Sequence, residues 1–136
     1  MAQFTLINGD IIEFSNNTVK PLNCTGSQHY DRHGQLFFIP DAVVPFINAG
    51  KLANDLFNLS QLAFAKYDDT KTELPVLIKH QGSLQAIDGL TIKREFKTIS
   101  FSSANIDKSQ AAKVFKMLLS DPAIEQIKLD EVKQLF

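Results

Sequence analysis

The dipeptide Asn8-Gly9 is the feature of this sequence that most restricts how the chain can fold. It lies between two segments rich in apolar residues, 4–7 and 10–14. Asn and Gly both adopt a positive φ at low cost, so the pair is typical of a two-residue type I′ turn between antiparallel strands. The sequence therefore predicts a β-hairpin at the amino terminus, with both turn residues at positive φ.

Apolar segments elsewhere predict further short strands and short helices. The strands are expected around Val19 and over 35–39, 74–80, 90–96, 99–101 and 124–130. The helices are expected over 42–47 and 61–67, and from Asp107 or Ser109 to residue 119.

Several local details follow from the same patterns. A turn is expected over 31–34, and Ser60 is the expected N-cap of the second helix. A bulge or turn is expected near Lys97 and Thr98, where the apolar alternation changes phase. The apolar side of the third helix is expected to carry Ala111, Ala112, Phe115, Leu118 and Leu119.

The composition predicts a packed core and an α+β protein. Of the 136 residues, 44% are hydrophobic and 21% are charged, which is ordinary for a globular chain. The polar segment 68–72 is expected to link two units. The predicted organisation is an amino-terminal extension over 1–70, with a β-hairpin, a strand and short helices, and a second α+β unit over 73–136.

Charge and cysteine content exclude several classes of function. The net charge is −1 and the basic residues are dispersed, so no nucleic-acid partner is expected. No apolar run approaches the roughly 18 residues that span a membrane, so no membrane partner is expected. Residues 1–4 show no basic region followed by an apolar one, and no secretion signal is visible. Cys24 is the single cysteine, which excludes an internal disulfide.

No residue pattern predicts catalysis, and the chain is not expected to be an enzyme or to bind a cofactor. There is no Gly-x-Ser-x-Gly motif for a nucleophilic serine. His29 and His33 have a spacing that could ligate a metal on a helix, but the adjacent Gly34 favours a solvated loop. His80 is expected at the surface. The pair Asp68-Asp69 is expected to end a helix.

Five segments in order along the chain carry a resemblance to a known family. They are the opening 4–10 (Phe-Thr-Leu-Ile-Asn-Gly-Asp), the segment 36–51, the stretch 55–78, the helix entry 106–115 and the last strand 124–130. Together they resemble the propeptide, or amino-terminal prodomain, of bacterial subtilisin-like serine proteases. The resemblance covers nearly the whole chain and includes no catalytic motif.

The resemblance implies a ferredoxin-like unit, an antiparallel sheet with packed helices, over 73–136 after the hairpin and helical extension. Two departures from the family are visible. Only residues 81–89 separate the first two strands of this unit, so the first helix of the family is shortened or lost. Phe101 lies near a position where the family often has Gly.

The resemblance also implies a non-catalytic function. Such a propeptide docks an exposed sheet face on the catalytic domain of the protease, helps it to fold, and inhibits it, either in cis or as a stand-alone relative in trans. Its carboxyl-terminal segment lies in the substrate cleft as an extended strand. Here Leu135 or Phe136 would fill an apolar pocket. The protease-binding residues so implied are Val132, Lys133, Gln134, Leu135 and Phe136.

Alternatives remain open at this stage. Residues 132–136 could instead complete the last strand and the core. The chain could be an interaction or scaffold module that keeps the propeptide fold without inhibiting a protease. A third hypothesis is that it is a small enzyme. Attached to an exported protease, the chain would be secreted or periplasmic.

Overall fold

The structure, a computed structural model, describes residues 2–96 and 100–130, and within them the chain is a mixed α+β protein with antiparallel sheets. The strands are β1 (Ala2–Thr5), β2 (Ile11–Ser15), β3 (Thr18–Pro21), β4 (Gly26–Tyr30), β5 (Leu36–Pro40), β6 (Glu73–His80), β7 (Leu90–Phe96), β8 (Phe101–Asp107) and β9 (Ile124–Leu129). The α-helices are α1 (Val44–Asn48), α2 (Leu59–Phe64) and α3 (Ala111–Ser120). Short 3₁₀ turns occupy Asp41–Val43, Asn54–Phe57 and Lys108–Gln110.

The amino-terminal hairpin is confirmed, but its predicted turn is wrong. β1 and β2 pair up to Thr5 and Ile11, and Gly9 has a φ of +90° while Asn8 is not at positive φ. The strands are joined by the five residues 6–10, because Leu6 and Ile7 are both buried, which takes them out of the strand alternation. The two-residue turn with both φ values positive lies instead at 16–17, between β2 and β3.

A second hairpin joins β4 to β5. The turn over 31–34 is confirmed: Asp31 accepts hydrogen bonds from the backbone of His33 and Gln35 through its carboxylate, both at 2.9 Å. β5 lies where the apolar run predicted it. β4 was not predicted, because all five of its side chains are exposed and it carries no apolar alternation.

The helices form near the predicted positions, but α2 ends at Phe64 instead of reaching residue 67, so Asp68-Asp69 does not end it, and its predicted cap is also wrong. The side chain of Asn58, not of Ser60, accepts the hydrogen bond from the Gln61 amide that caps α2. Ser60 Oγ instead accepts from the amide of Leu36 at 2.9 Å and so ties the helix to β5. At the start of the last helical segment, Asp107 caps the 3₁₀ turn, as expected.

The buried side of α3 differs in part from the predicted one. Ala111 and Leu118 are buried, as expected, and so is Val114, which the prediction omitted. Ala112 is exposed by contrast.

The largest sheet has four strands in the order β7-β8-β6-β9, with every neighbouring pair antiparallel. The segment between β6 and β7, residues 81–89, contains no helix. A register shift in the β7–β8 pair lies between Ile92 and Arg94. The bulge predicted near Lys97 and Thr98 lies outside the described residues.

One hydrophobic core includes side chains from both halves of the chain. The amino-terminal half contributes residues of the hairpin and of the 3₁₀ turn and helix near residue 57, and the second half contributes the covered face of the sheet and the inner side of α3. The outer edge of β9 is also covered by the first half. The Ile127 amide donates to the Lys51 carbonyl at 2.8 Å, and the Ala53 amide donates to the Ile127 carbonyl at 3.0 Å.

Gly9 couples the turn of the first hairpin to α3. A Cβ at this position would lie 2.8 Å from the Cβ of Ala112, and the φ of +90° is unfavourable for any other residue. We therefore expect Gly9→Ala to lower the free energy of unfolding by about 2–3 kcal/mol, from backbone strain plus overpacking. Urea denaturation followed by circular dichroism measures the change.

Gly34→Ala is the matched control for Gly9→Ala. Gly34 has a comparable φ of +77°, but no atom lies within 4 Å of a Cβ built on it. Only the backbone term of about 1 kcal/mol should remain. Equal losses in the two variants would contradict the close approach between the hairpin turn and α3.

Candidate functional site

The four-stranded sheet has one covered face and one face whose apolar side chains lie outside the core. On this second face, the pairing registers align the side chains in two rows across all four strands. We call this surface the open face, and its two rows are Arg94–Ser103–Leu77–Lys128 and Phe96–Phe101–Lys79–Gln126.

Three apolar residues of the open face are separated from the core. Leu77, Phe96 and Phe101 are half-buried, and none belongs to the core or packs against it within the described residues. Leu74, Val76 and Ile78 alternate with Leu77 along β6 and are fully enclosed by the opposite layer. Apolar side chains outside a core point to a binding surface where they form a contiguous patch, and Phe96 and Phe101 are paired neighbours in the sheet.

The cations of the open face are held over its aromatic rings. The guanidinium carbon of Arg94 lies 5.1 Å from the centre of the Phe96 ring, and the Lys128 ammonium nitrogen lies 5.3 Å from that of Phe101. Cation–π attraction at these distances orients a long side chain without removing its charge. The open face thus presents positive charge and aromatic surface together.

The predicted protease-binding residues lie outside the described part of the chain. They are Val132, Lys133, Gln134, Leu135 and Phe136. The strand that precedes them is well anchored: Leu129 is the last residue of β9, and the Asp130 amide donates to the Pro75 carbonyl at 3.1 Å. The path of the chain is therefore defined up to Asp130, at the edge of the open face.

A recess between the first hairpin and the start of α3 contains an ion pair. Lys108 Nζ lies 3.2 Å from Asp69 Oδ1, and their side chains are only 7% and 21% exposed. Asp69 also accepts hydrogen bonds from the amide and hydroxyl of Thr5 and from the amide group of Gln3. Lys108 donates to two backbone carbonyls at 2.8 and 2.9 Å. These polar groups are hydrogen-bonded or ion-paired with one another. They come from separate segments of the chain, so their contacts hold those segments together.

The pKa values in this recess reflect burial and pairing. Burial raises the pKa of Asp69, but the hydrogen bonds from Thr5 and Gln3 and the charge of Lys108 outweigh it, and the net pKa is below the ordinary value. Burial lowers the pKa of Lys108 more than its attraction to Asp69 raises it. Sequence reasoning took Asp69 only as a helix end. Its partners, 64 and 66 residues away in sequence, were not visible in any local pattern.

The prediction of a surface position for His80 is wrong. Its side chain is 5% exposed, and Nε2 lies 2.7 Å from Ser102 Oγ on the neighbouring strand. Alternate residues of β6 are buried. His80 continues this alternation beyond Ile78, the last buried apolar residue of the strand. Ser102 is fully buried, so its hydroxyl is not reachable by a substrate in this arrangement.

The two other histidines lie apart from any helix. His29 is in β4, where its ring stacks on Phe37 with centres 5.1 Å apart, and His33 is in the following turn. Helical spacing therefore does not bring them together. No group of three or more possible metal ligands occurs among residues 2–96 and 100–130. Cys24 is half-buried, and burial raises the pKa of its thiol.

Comparisons with known proteins add no relative. No family model, no curated protein and no solved structure matches the chain. Within the described ranges, no helix is long and apolar enough to cross a membrane. The fold places the chain in the class of α+β proteins with antiparallel sheets.

We expect Asp69→Asn to lower the free energy of unfolding by about 2 kcal/mol at neutral pH, because the charged acceptor of three hydrogen bonds is lost. The difference between wild type and variant should be constant well above pH 4. Since the folded pKa of Asp69 is lowered, the wild-type advantage is lost as the pH falls through that value. Chemical denaturation at a series of pH values measures both effects.

Asp88→Asn is the control for this experiment. Asp88 pairs with Lys113 at the same distance of 3.2 Å, but its side chain is 83% exposed. Solvent screening leaves such a pair almost no net effect on stability. A variant at position 69 that behaves like the one at position 88 would show that the buried pair does not hold the two halves together.

Proposed function

We propose that this chain is a non-catalytic prodomain of a subtilisin-like serine protease, or a stand-alone relative that acts in trans. It assists folding of the catalytic domain and then inhibits it. The observation that carries the proposal is the open face: a four-stranded antiparallel sheet that leaves Leu77, Phe96 and Phe101 outside the core. The resemblance over 4–10, 36–51, 55–78, 106–115 and 124–130 supplies the identity of the partner.

The strand order supports the ferredoxin-like part of the proposal. Numbered within the second unit, β6, β7, β8 and β9 are its first to fourth strands, and the first and third strands lie at the centre of the sheet. This is the interleaved order of a split β-α-β arrangement. α3 connects the third and fourth strands, and residues 81–89 take the place of the other helix.

The amino-terminal half covers the sheet face that the missing helix would otherwise cover. Side chains from the first hairpin and from the region of Phe57 share one core with the covered sheet face, and Lys51 and Ala53 bond to the edge of β9. The covered face is thus enclosed by other means. The open face remains available for docking on a catalytic domain.

Inhibition in this proposal needs no catalytic group in the chain. Residues 132–136 enter the substrate cleft as an extended strand, with Leu135 or Phe136 in an apolar pocket. Docking of the open face sets the position of the tail, since β9 runs from the sheet directly toward it. The tail excludes substrate by occupying the cleft.

Deletion of residues 132–136 tests the role of the tail. The full chain is mixed with purified bacterial subtilisin-type proteases, and peptide hydrolysis is followed over time. We expect slow, tight inhibition by the full chain and inhibition about 10- to 100-fold weaker after the deletion, the effect of losing one buried apolar side chain. Unchanged inhibition by the shortened chain would contradict the role of the tail.

Phe101→Asp tests the docking surface separately from the tail. Because Phe101 lies outside the core, the variant should stay folded, and a buried carboxylate in the interface should weaken inhibition at least about tenfold. Phe64→Asp is the matched control, since Phe64 is 72% exposed on α2, away from the sheet. Absence of inhibition by the wild-type chain across the protease panel would favour an interaction module that keeps the fold without inhibiting.

A further inference from the structure

The charges of the open face are unevenly distributed along its strands. At one end lie Lys79, Arg94 and Lys128, next to Phe96 and Phe101. These three cations belong to three different strands, yet the pairing registers bring them into adjacent rows. Phe96 and Phe101, which lie beside these cations, are outside the core.

No carboxylate of the described residues neutralises these cations. The ion pairs within 2–96 and 100–130 are those of Lys108 with Asp69 and of Lys113 with Asp88. Two carboxylates border this end of the face. Glu125 accepts a hydrogen bond from Gln81 at 2.9 Å, and Glu95, which lines a recess with Phe96 and Phe101, forms no ion pair within the described residues. Among residues 2–96 and 100–130, therefore, no salt bridge engages Lys79, Arg94 or Lys128.

The opposite end of the same face has a mixed charge. Two acidic residues and two basic ones line one shallow recess there, Glu73, Asp130, Lys71 and Lys93, together with Asn105, which donates to the Glu73 carboxylate at 3.2 Å. A nucleic-acid strand laid along the sheet would bring its phosphates against these carboxylates. A protein surface needs to match the positive end alone, so the charge pattern favours a protein partner over a nucleic acid.

We propose that the positive end of the open face docks on a carboxylate-bearing surface of the partner protein, with Arg94 and Lys128 forming the charged contacts. Phe96 and Phe101 supply the apolar centre of this contact, and the rings hold the cations in a position from which they can reach carboxylates of the partner. The inference rests on the proposed function for the identity of that partner, a catalytic domain. It adds that the docking surface of the protease is acidic.

A pair of charge-reversal variants tests the inference. Arg94→Glu/Lys128→Glu reverses two cations of the face, and Lys20→Glu/Lys116→Glu reverses two exposed lysines in β3 and α3. Both change the net charge by the same amount. Inhibition constants against the protease panel are measured from about 50 mM to about 500 mM NaCl, a range over which screening becomes strong.

The face variant should inhibit at least about tenfold more weakly than wild type at low salt, mainly through slower association, while the control stays within about twofold. The difference should shrink as the salt concentration rises. Thermal unfolding of both variants checks that they are folded. Equal inhibition by the face variant and the control would overturn the inference and leave the proposed function intact.

A second measurement tests the face without any protease. The isotopically labelled full chain is titrated with a helical peptide about 18 residues long that has glutamates on one face and leucines on the other. Amide shifts are expected in β6, β7, β8 and β9 near Lys79, Arg94 and Lys128, and they should vanish in the face variant. A lysine counterpart of the peptide and a single-stranded RNA serve as competing probes.

The two measurements separate the two proposals. Shifts with the acidic peptide together with no inhibition of any protease would refute the proposed function and retain the acidic partner. If no protease is inhibited, the absence of shifts with the acidic peptide, or larger shifts with the RNA or the lysine peptide, would overturn the inference as well. Concentration-dependent sedimentation of the free chain would show that a second copy of the chain binds the open face. That result would also contradict the inference of an acidic partner.

Discussion

The ion pair between Asp69 and Lys108 is the interaction on which the rest of the structure depends. It joins three segments that are far apart in sequence: the first hairpin through Thr5, the connection before β6, and the entry to α3. A buried pair of this kind is costly to break from one side, because the remaining charge is left without a partner. The junction therefore adds to the shared core and to the bonds at the edge of β9 in holding the two halves together, with the covered face of the sheet enclosed between them.

Enclosing one face of the sheet determines what the other face offers. The period of two along β6 directs Leu74, Val76 and Ile78 into the core and leaves Leu77 and Lys79 on the opposite side. Across the sheet the same alternation gathers Phe96 and Phe101 with the cations that lie over their rings. Within the described residues the aromatic side chains lie outside the core, and this position is the observation on which the proposed docking surface rests.

Local patterns in the sequence predicted much of the secondary structure, and the failures have identifiable causes. β5 and β6 contain apolar runs, and β9 has apolar residues at 124, 127 and 129, so these strands were visible in the sequence. β4 has only exposed side chains and gave no such signal. The turn at Asn8-Gly9 differs from the prediction because burial of Leu6 and Ile7 overrides the preference of the dipeptide. The Asp69 junction and the buried His80 depend on contacts across the fold. The open face needed the strand registers, which no single segment of sequence contains.

The hydrogen bonds on both sides of β9 have a mechanical consequence. β6 bonds to one edge of the strand, and Lys51 and Ala53 bond to the other. A load applied along the strand from its carboxyl end stretches these bonds together in shear, rather than opening them one after another as in a zipper. A segment that follows Asp130 and is gripped by another molecule would thus be tethered firmly, and thermal motion would seldom pull the strand out of its sheet.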